Sequence, residues 1–239
     1  MPRFFVDSIE EEQVCLTGED AKHLSRVLRV RVGDTVTLCN KQRRECTGIV
    51  ESVSADAVML RTENHRSCEA EPIQTVTLYQ ALPKGDKLDF IVQKAVELGA
   101  AKIVPVLTRY CVVKADRASF EKKRVRLNRI AAEAAKQCGR GILPEVEPLL
   151  TFGEAVERMK GEKAMVCYEH GGAPIRSLVS SDDTAVSVFV GSEGGFSEEE
   201  IQKLGDAGVP CATLGKLILR CETAPIVALS RIMNEFEIL

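Results

Sequence analysis

The chain has 239 residues, a formal net charge of −3, 45% hydrophobic and 28% charged residues. This is an ordinary globular balance, with room for one large domain or two modest ones. The charge excludes a general nucleic-acid coat but leaves local basic patches free to bind. No apolar run approaches a membrane-spanning length, and the opening Met1-Pro2-Arg3-Phe4-Phe5-Val6-Asp7 shows no leader pattern. The nine cysteines stand singly and His23, His65 and His170 lie far apart. The expectation is therefore reduced thiols, a cytoplasmic protein and no metal site.

Residues 1–70 read as short β-strands, at 35–38, 48–53 and 57–60, with turns at Gly33-Asp34 and Ala55-Asp56. One helix over 21–29 interrupts them. Its apolar positions Ala21, Leu24 and Leu28 are expected inward, and Lys22, Arg26 and Arg29 form a basic stripe at i, i+4 and i+7. A second basic run holds Lys122, Lys123, Arg124, Arg126 and Arg129. The polar stretch 63–72 reads as a linker.

From residue 75 the pattern changes to strand–helix alternation, which predicts a mostly parallel sheet covered by helices. Strands are expected at 75–82, 103–107, 164–168, 185–190 and 211–214. Helices are expected at 86–98, 120–138 and 224–236, and another opens on the capping box Ser197-Glu198-Glu199-Glu200.

Two segments carry the chemistry: Val190-Gly191-Ser192-Glu193-Gly194-Gly195-Phe196-Ser197, and the stretch from Leu214-Gly215 to Arg220-Cys221-Glu222-Thr223-Ala224. Each breaks a strand with glycine just before a helix, where parallel sheets bind ligands. Glycines 191, 194 and 195 permit positive φ and close approach by a ligand. The spacing is neither a dinucleotide fingerprint nor a phosphate loop. Apolar walls from Leu214, Leu217, Ile218 and Leu219 suit a neutral planar group such as adenine. Read blandly, the leucines are strand core and the glycines are turns. Arg220 is either an ion-pair partner for Glu222 or a fork for an anionic or carbonyl oxygen. Glu193 has the look of a buried carboxylate, and Thr223 is an N-cap candidate.

Six blocks resemble the bacterial small-subunit ribosomal RNA uridine-N3 methyltransferases. They are Lys84-Gly85-Asp86-Lys87, Gln93-Lys94-Ala95-Val96-Glu97-Leu98-Gly99, Cys111-Val112-Val113-Lys114, Glu133-Ala134-Ala135-Lys136-Gln137-Cys138-Gly139-Arg140 and the two glycine segments. His23-Leu24, Val27-Leu28-Arg29 and Gly33-Asp34 are similar to that family's N-terminal domain. The resemblance implies an α/β chain with an N-terminal PUA-like β-barrel that binds RNA (1–70). A SPOUT-type α/β methyltransferase domain with a C-terminal trefoil knot would follow (74–239). It also implies S-adenosylmethionine as cofactor, 16S ribosomal RNA within the small subunit as substrate, and a homodimer. On this resemblance Tyr168, Gly191, Glu193, Gly195, Leu214, Gly215, Ile218 and Leu219 hold the cofactor. Arg220 and Glu193 carry the catalysis, and Lys22, Arg26 and Arg29 meet RNA. The chain departs from the family at Ser192, Leu217 and Cys221, where proline, arginine and threonine are usual. A non-catalytic RNA-binding module for ribosome assembly is the rival reading, and a dinucleotide oxidoreductase is disfavoured.

Overall fold

The computed structural model describes residues 1–54 and 56–238. The chain divides into two compact units, Met1–Glu71 with Ala135–Leu143, and Pro72–Ala134 with Pro144–Leu239.

In the first unit, β1 (Arg3–Phe5), β2 (Gln13–Thr17), β3 (Thr35–Cys39), β4 (Arg44–Val53) and β5 (Ala57–Ser67) form one curled sheet in the order β1-β3-β4-β5-β2. The β1–β3 pair is parallel and the others are antiparallel. Phe4, Ile9, Leu16, Val36, Leu38, Val58 and Leu60 fill the core. The stretch 63–67, expected as linker, is strand, because Glu63, Arg66 and Ser67 keep their ladder partners on β4. Glu71, just beyond it, is buried and grips Arg140 through two 2.8 Å hydrogen bonds. Two buried charges need such mutual pairing.

The expected helix over 21–29 is split. The short helix α1 (Gly18–Lys22) runs into a π-helical turn over His23–Leu28, and Arg29 ends it with a left-handed φ of 53°. Ala21 and Leu24 are buried as expected, but Leu28 is 41% exposed. A π-turn closes on i+5, so the angular positions drift from those of an α-helix. That drift carries Leu28 off the apolar face. Lys22, Arg26 and Arg29 are all exposed, but a single α-helical stripe does not describe them.

The second unit contains β6 (Thr75–Ala81), α2 (Lys87–Glu97), β7 (Ala100–Leu107), α3 (Arg117–Cys138, whose end belongs to the first unit), β8 (Glu145–Val146), β9 (Leu150–Thr151) and α4 (Phe152–Met159). It continues with β10 (Ala164–Cys167), β11 (Ala173–Pro174), β12 (Ala185–Val190), α5 (Glu198–Asp206), β13 (Cys211–Thr213) and α6 (Ala224–Glu235). The sheet order is β11-β13-β10-β12-β6-β7-β8, and β9 also pairs with β7. Every pairing in it is parallel. Strands covered on both faces read as continuous apolar runs, and in β12 Val186 through Val190 are all buried. The α2 face of Leu88, Ile91, Val92 and Ala95 is buried as its spacing predicts. The capping box expected at Ser197 forms with Glu200 on α5, and a second one, Thr151 with Glu154, opens α4.

Candidate functional site

The strands β13, β10, β12 and β6 are consecutive neighbours and run parallel. Their C-terminal ends therefore lie side by side. From those ends the chain enters the loops at 214–223, 168–172, 191–197 and 82–86. The first three of these loops, with Lys87 beyond the fourth, line a cavity of about 350 Å³, within the range of small-molecule sites. Tyr168, Gly191, Glu193, Gly195, Leu214, Gly215, Ile218, Leu219 and Arg220 all line it. Periodicity alone could not have gathered these loops; the parallel strand order does.

The first glycine loop is tightly folded. Gly195 donates its amide to the Ser192 carbonyl at 3.0 Å, and the buried Gln80 side chain donates to the Gly191 carbonyl at 3.2 Å. Of the three glycines that permit positive φ, only Gly195 adopts it, at 65°. Gly194 is required for space instead: a Cβ there would sit 2.7 Å from the Cβ of Tyr110. Phe196 packs edge-on against Phe189 beneath the loop, with centroids 4.8 Å apart. In the second loop Gly215 has a φ of 118° and open space around its Cβ position. Leu217 and Ile218 are 81% and 87% exposed, so they are not the strand core of the bland reading.

Glu193 is not buried. Its side chain is 27% accessible and ion-paired to Lys87 at 3.0 Å, and it accepts the Lys84 amide at 3.1 Å. Desolvation raises its carboxyl, but the Lys87 hydrogen bond and the backbone amides outweigh that and hold it below the usual value. Lys87 also reaches Glu222 at 3.1 Å. The Glu193 contact, then the Glu222 contact, raise its ammonium well above the ordinary lysine value. Burial pushes the Cys221 thiol up to about 12, helped by its hydrogen bond to Glu222.

This resolves the alternatives for Arg220. Glu222 pairs with Lys87 rather than with Arg220, and Arg220 is exposed on the cavity wall with no ion pair among the described residues. Its carbonyl accepts the amides of Thr223 and Ala224 at 2.9 Å each, so the main chain fixes its position. Thr223 precedes α6 as expected, but its side chain makes no capping bond, and its backbone is already helical at φ −87°. Pro225, early in the first turn, starts the helix without that bond.

Lys87 and Glu222 were missed as site residues. Lys87 stood within a resemblance block, but its reach to two carboxylates more than a hundred residues away leaves no local signal. Lys22, Arg26 and Arg29 belong to the first unit, and none of them lines the cavity. Among the described residues no group of three or more histidine, cysteine or acidic side chains could hold a metal. No described helix is long and apolar enough to cross a membrane.

The family described as RNA methyltransferase domain matches residues 69–233, and the RNA methyltransferase PUA domain matches residues 16–63. A Bacillus subtilis protein named ribosomal RNA small subunit methyltransferase E is 36% identical, across 100% of this chain and 98% of its own. The chain belongs to that family. A solved family member from Neisseria gonorrhoeae, bound to S-adenosyl methionine, is 30% identical with a TM-score of 0.88, covering 98% of this chain and 97% of that one. A Legionella pneumophila structure in complex with the bound cofactor SAM is also 30% identical, with a TM-score of 0.87 and coverages of 97% and 96%.

Proposed function

We propose that this protein is a cytoplasmic S-adenosylmethionine-dependent methyltransferase that methylates N3 of a uridine in 16S ribosomal RNA, working on the small ribosomal subunit as a homodimer. The observation that carries the reading is the meeting of Arg220, without an ion-pair partner among the described residues, with two glycine loops in one cavity. The family membership and the cofactor-bound relatives support it.

The cavity fits the cofactor. Leu214, Ile218 and Leu219 offer an apolar wall, Gly215 leaves room against it, and Tyr168 closes another side. The buried Ser192 hydroxyl, also on the cavity lining, has no hydrogen-bond partner among the described residues, and a buried polar group of that kind asks for one. Gly191, Glu193 and Gly195 would hold the methionine and ribose end. When bound, S-adenosylmethionine supplies a methyl group on a positively charged sulfur.

Uracil N3 is a weak acid and a poor nucleophile while protonated, so this chain must stabilise the anion that forms as the proton passes to water. Arg220 donates hydrogen bonds to the uracil carbonyl oxygen where that negative charge collects, an oxyanion-hole role. Held ionised but weakly basic by Lys87, Glu193 is poorly matched to removing a proton near neutral pH. It suits the role of clamp for a cationic or hydroxyl group of the cofactor. Placement of the two reactants at attack distance supplies much of the remaining acceleration.

The finer architecture belongs to the same proposal. Residues 1–70 form a PUA-like barrel that carries RNA contacts at Lys22, Arg26 and Arg29. Residues 74–239 form the SPOUT domain, with a trefoil knot where the loops at 191–197 and 214–223 cross. Calorimetry tests the cofactor assignment: S-adenosylmethionine is expected to bind one site per chain, and NADH is not. Tight binding of NADH with none of S-adenosylmethionine would overturn it. Cofactor binding without methylation of any ribosomal RNA would favour the binding-only assembly module, which the departures at Ser192, Leu217 and Cys221 alone favour.

A further inference from the structure

We propose that Lys87 is a positioning residue for methyl transfer, an ammonium staple that joins the loop at 191–197 to the loop at 214–223 by bridging Glu193 and Glu222. The inference rests on the methyltransferase reading of the cavity, but the contact that carries it is independent of any ligand. Lys87 is the first residue of α2. Its Nζ lies 3.0 Å from Glu193 Oε1 and 3.1 Å from Glu222 Oε2, and it donates to Cys221 Sγ at 3.7 Å. Three separate elements thus meet at one cation on the cavity wall.

An exposed ion pair is worth little, because solvent screens it and the side chains lose freedom. Two features separate this contact from that case. The three side chains are only 23% to 31% accessible. Without Lys87, moreover, the contact would leave two carboxylates facing each other on walls that must keep a fixed spacing, and like charges repel. Arg220 sits two residues before Glu222, so a staple on Glu222 also fixes where Arg220 points from. The structure therefore assigns Lys87 an indirect role: it sets the distance between the clamp and the oxyanion donor.

The charged and titratable groups around Glu193 are Lys87 from α2, Glu222 and the neutral Cys221 thiol from the second loop, and Lys216, Arg220 and Glu169 on the same cavity lining. The Lys84 amide is its other close donor. With Lys87 gone, desolvation is opposed chiefly by backbone amides, so the Glu193 carboxyl is expected to titrate higher than in the wild type.

The test is amide hydrogen exchange on the full chain without ligand, followed by S-adenosylmethionine titration across pH. In Lys87→Met the amides of Gly195, Thr223 and Ala224, each bonded within its own loop, are expected to exchange at least tenfold faster, while the β6 amides do not change. Lys87→Arg, which keeps the cation, is expected to restore most of the protection. As pH falls, cofactor affinity in Lys87→Met is expected to weaken at a higher pH than in the wild type. Should Lys87→Met fail to fold, Glu222→Gln weakens one arm only and is expected to loosen Thr223 and Ala224 while sparing Gly195. Unchanged exchange together with an unchanged pH dependence would overturn the staple. If S-adenosylmethionine does not bind even the wild type, the cofactor reading fails, and the exchange result still decides the staple.

Discussion

At the scale of single residues, the account turns on Arg220. The sequence left it balanced between pairing Glu222 and binding an oxygen, and Lys87 removes the first alternative by taking Glu222 for itself. Arg220→Ala is expected to lower turnover by about a hundredfold or more, the usual loss on removing one oxyanion donor, with cofactor affinity little changed. Arg220→Lys is expected to recover little, because a point charge does not replace the planar fork. Single-turnover rates at saturating cofactor check both, and a near wild-type rate in Arg220→Ala would remove it from the mechanism. The position of Arg220 was legible because glycine, an apolar run and a following helix start leave few places for that side chain. Its freedom was not, since it depends on a lysine distant in sequence. The exposure of Glu193 was hidden for the same reason: its neighbours in sequence are small, and its true neighbours come from the loop at 82–86 and from α2.

At the scale of elements, long periodic segments were legible and short or irregular ones were not. The strand at 185–190 and the helix at 86–98 follow directly from apolar runs, caps and glycine stops. The strands β1, β2, β8, β9 and β11, and the helix α4, were missed. Most of them are two to five residues long and gain their ladder partners only from distant strands. The π-turn at His23–Leu28 defeats any reading that assumes 3.6 residues per turn. The glycines divide by what each tolerates, and two substitutions test that division. Gly194→Ala puts a Cβ 2.7 Å from that of Tyr110, so the loop must move; it is expected to cost about 1–3 kcal/mol and to weaken cofactor binding. Gly205→Ala, inside α5 with no atom within 4 Å of the new Cβ, is expected to stabilise by about 0.4–1 kcal/mol and to leave binding alone. Thermal denaturation and calorimetry read both, and a harmless Gly194→Ala would show that the tight loop is not required. Gly215→Val combines a filled pocket with backbone strain at positive φ, so loss of binding there must be read beside its melting temperature.

At the scale of the whole molecule, the sequence implied a β-rich first part and a parallel α/β second part, and both sheets are present. It could not show that residues 135–143, at the end of α3, belong with the first unit. The reason lies in Arg140: its partner Glu71 sits in the stretch read as linker, and only the fold brings the two together. That buried pair explains Arg140 structurally, although it stood among the resemblance blocks beside residues of the site. In the first unit, Lys22, Arg26 and Arg29 remain the proposed RNA contacts, exposed and without ion pairs among the described residues. Changing all three to alanine is expected to flatten the slope of log affinity for ribosomal RNA against log salt by roughly 2, at about 0.7 to 0.9 per phosphate lost. Cofactor affinity should not move. A slope equal to that of the wild type would turn attention to Lys122, Lys123 and Arg129 on α3.

The most direct test of the central claim is nucleoside mass spectrometry of 16S ribosomal RNA after small subunits lacking the modification are incubated with S-adenosylmethionine and this protein. The account predicts one new 3-methyluridine per 16S molecule at a single site, formed by the wild type and almost absent with Arg220→Ala. Methylation at another atom or base, or equal yields from the two proteins, would contradict it.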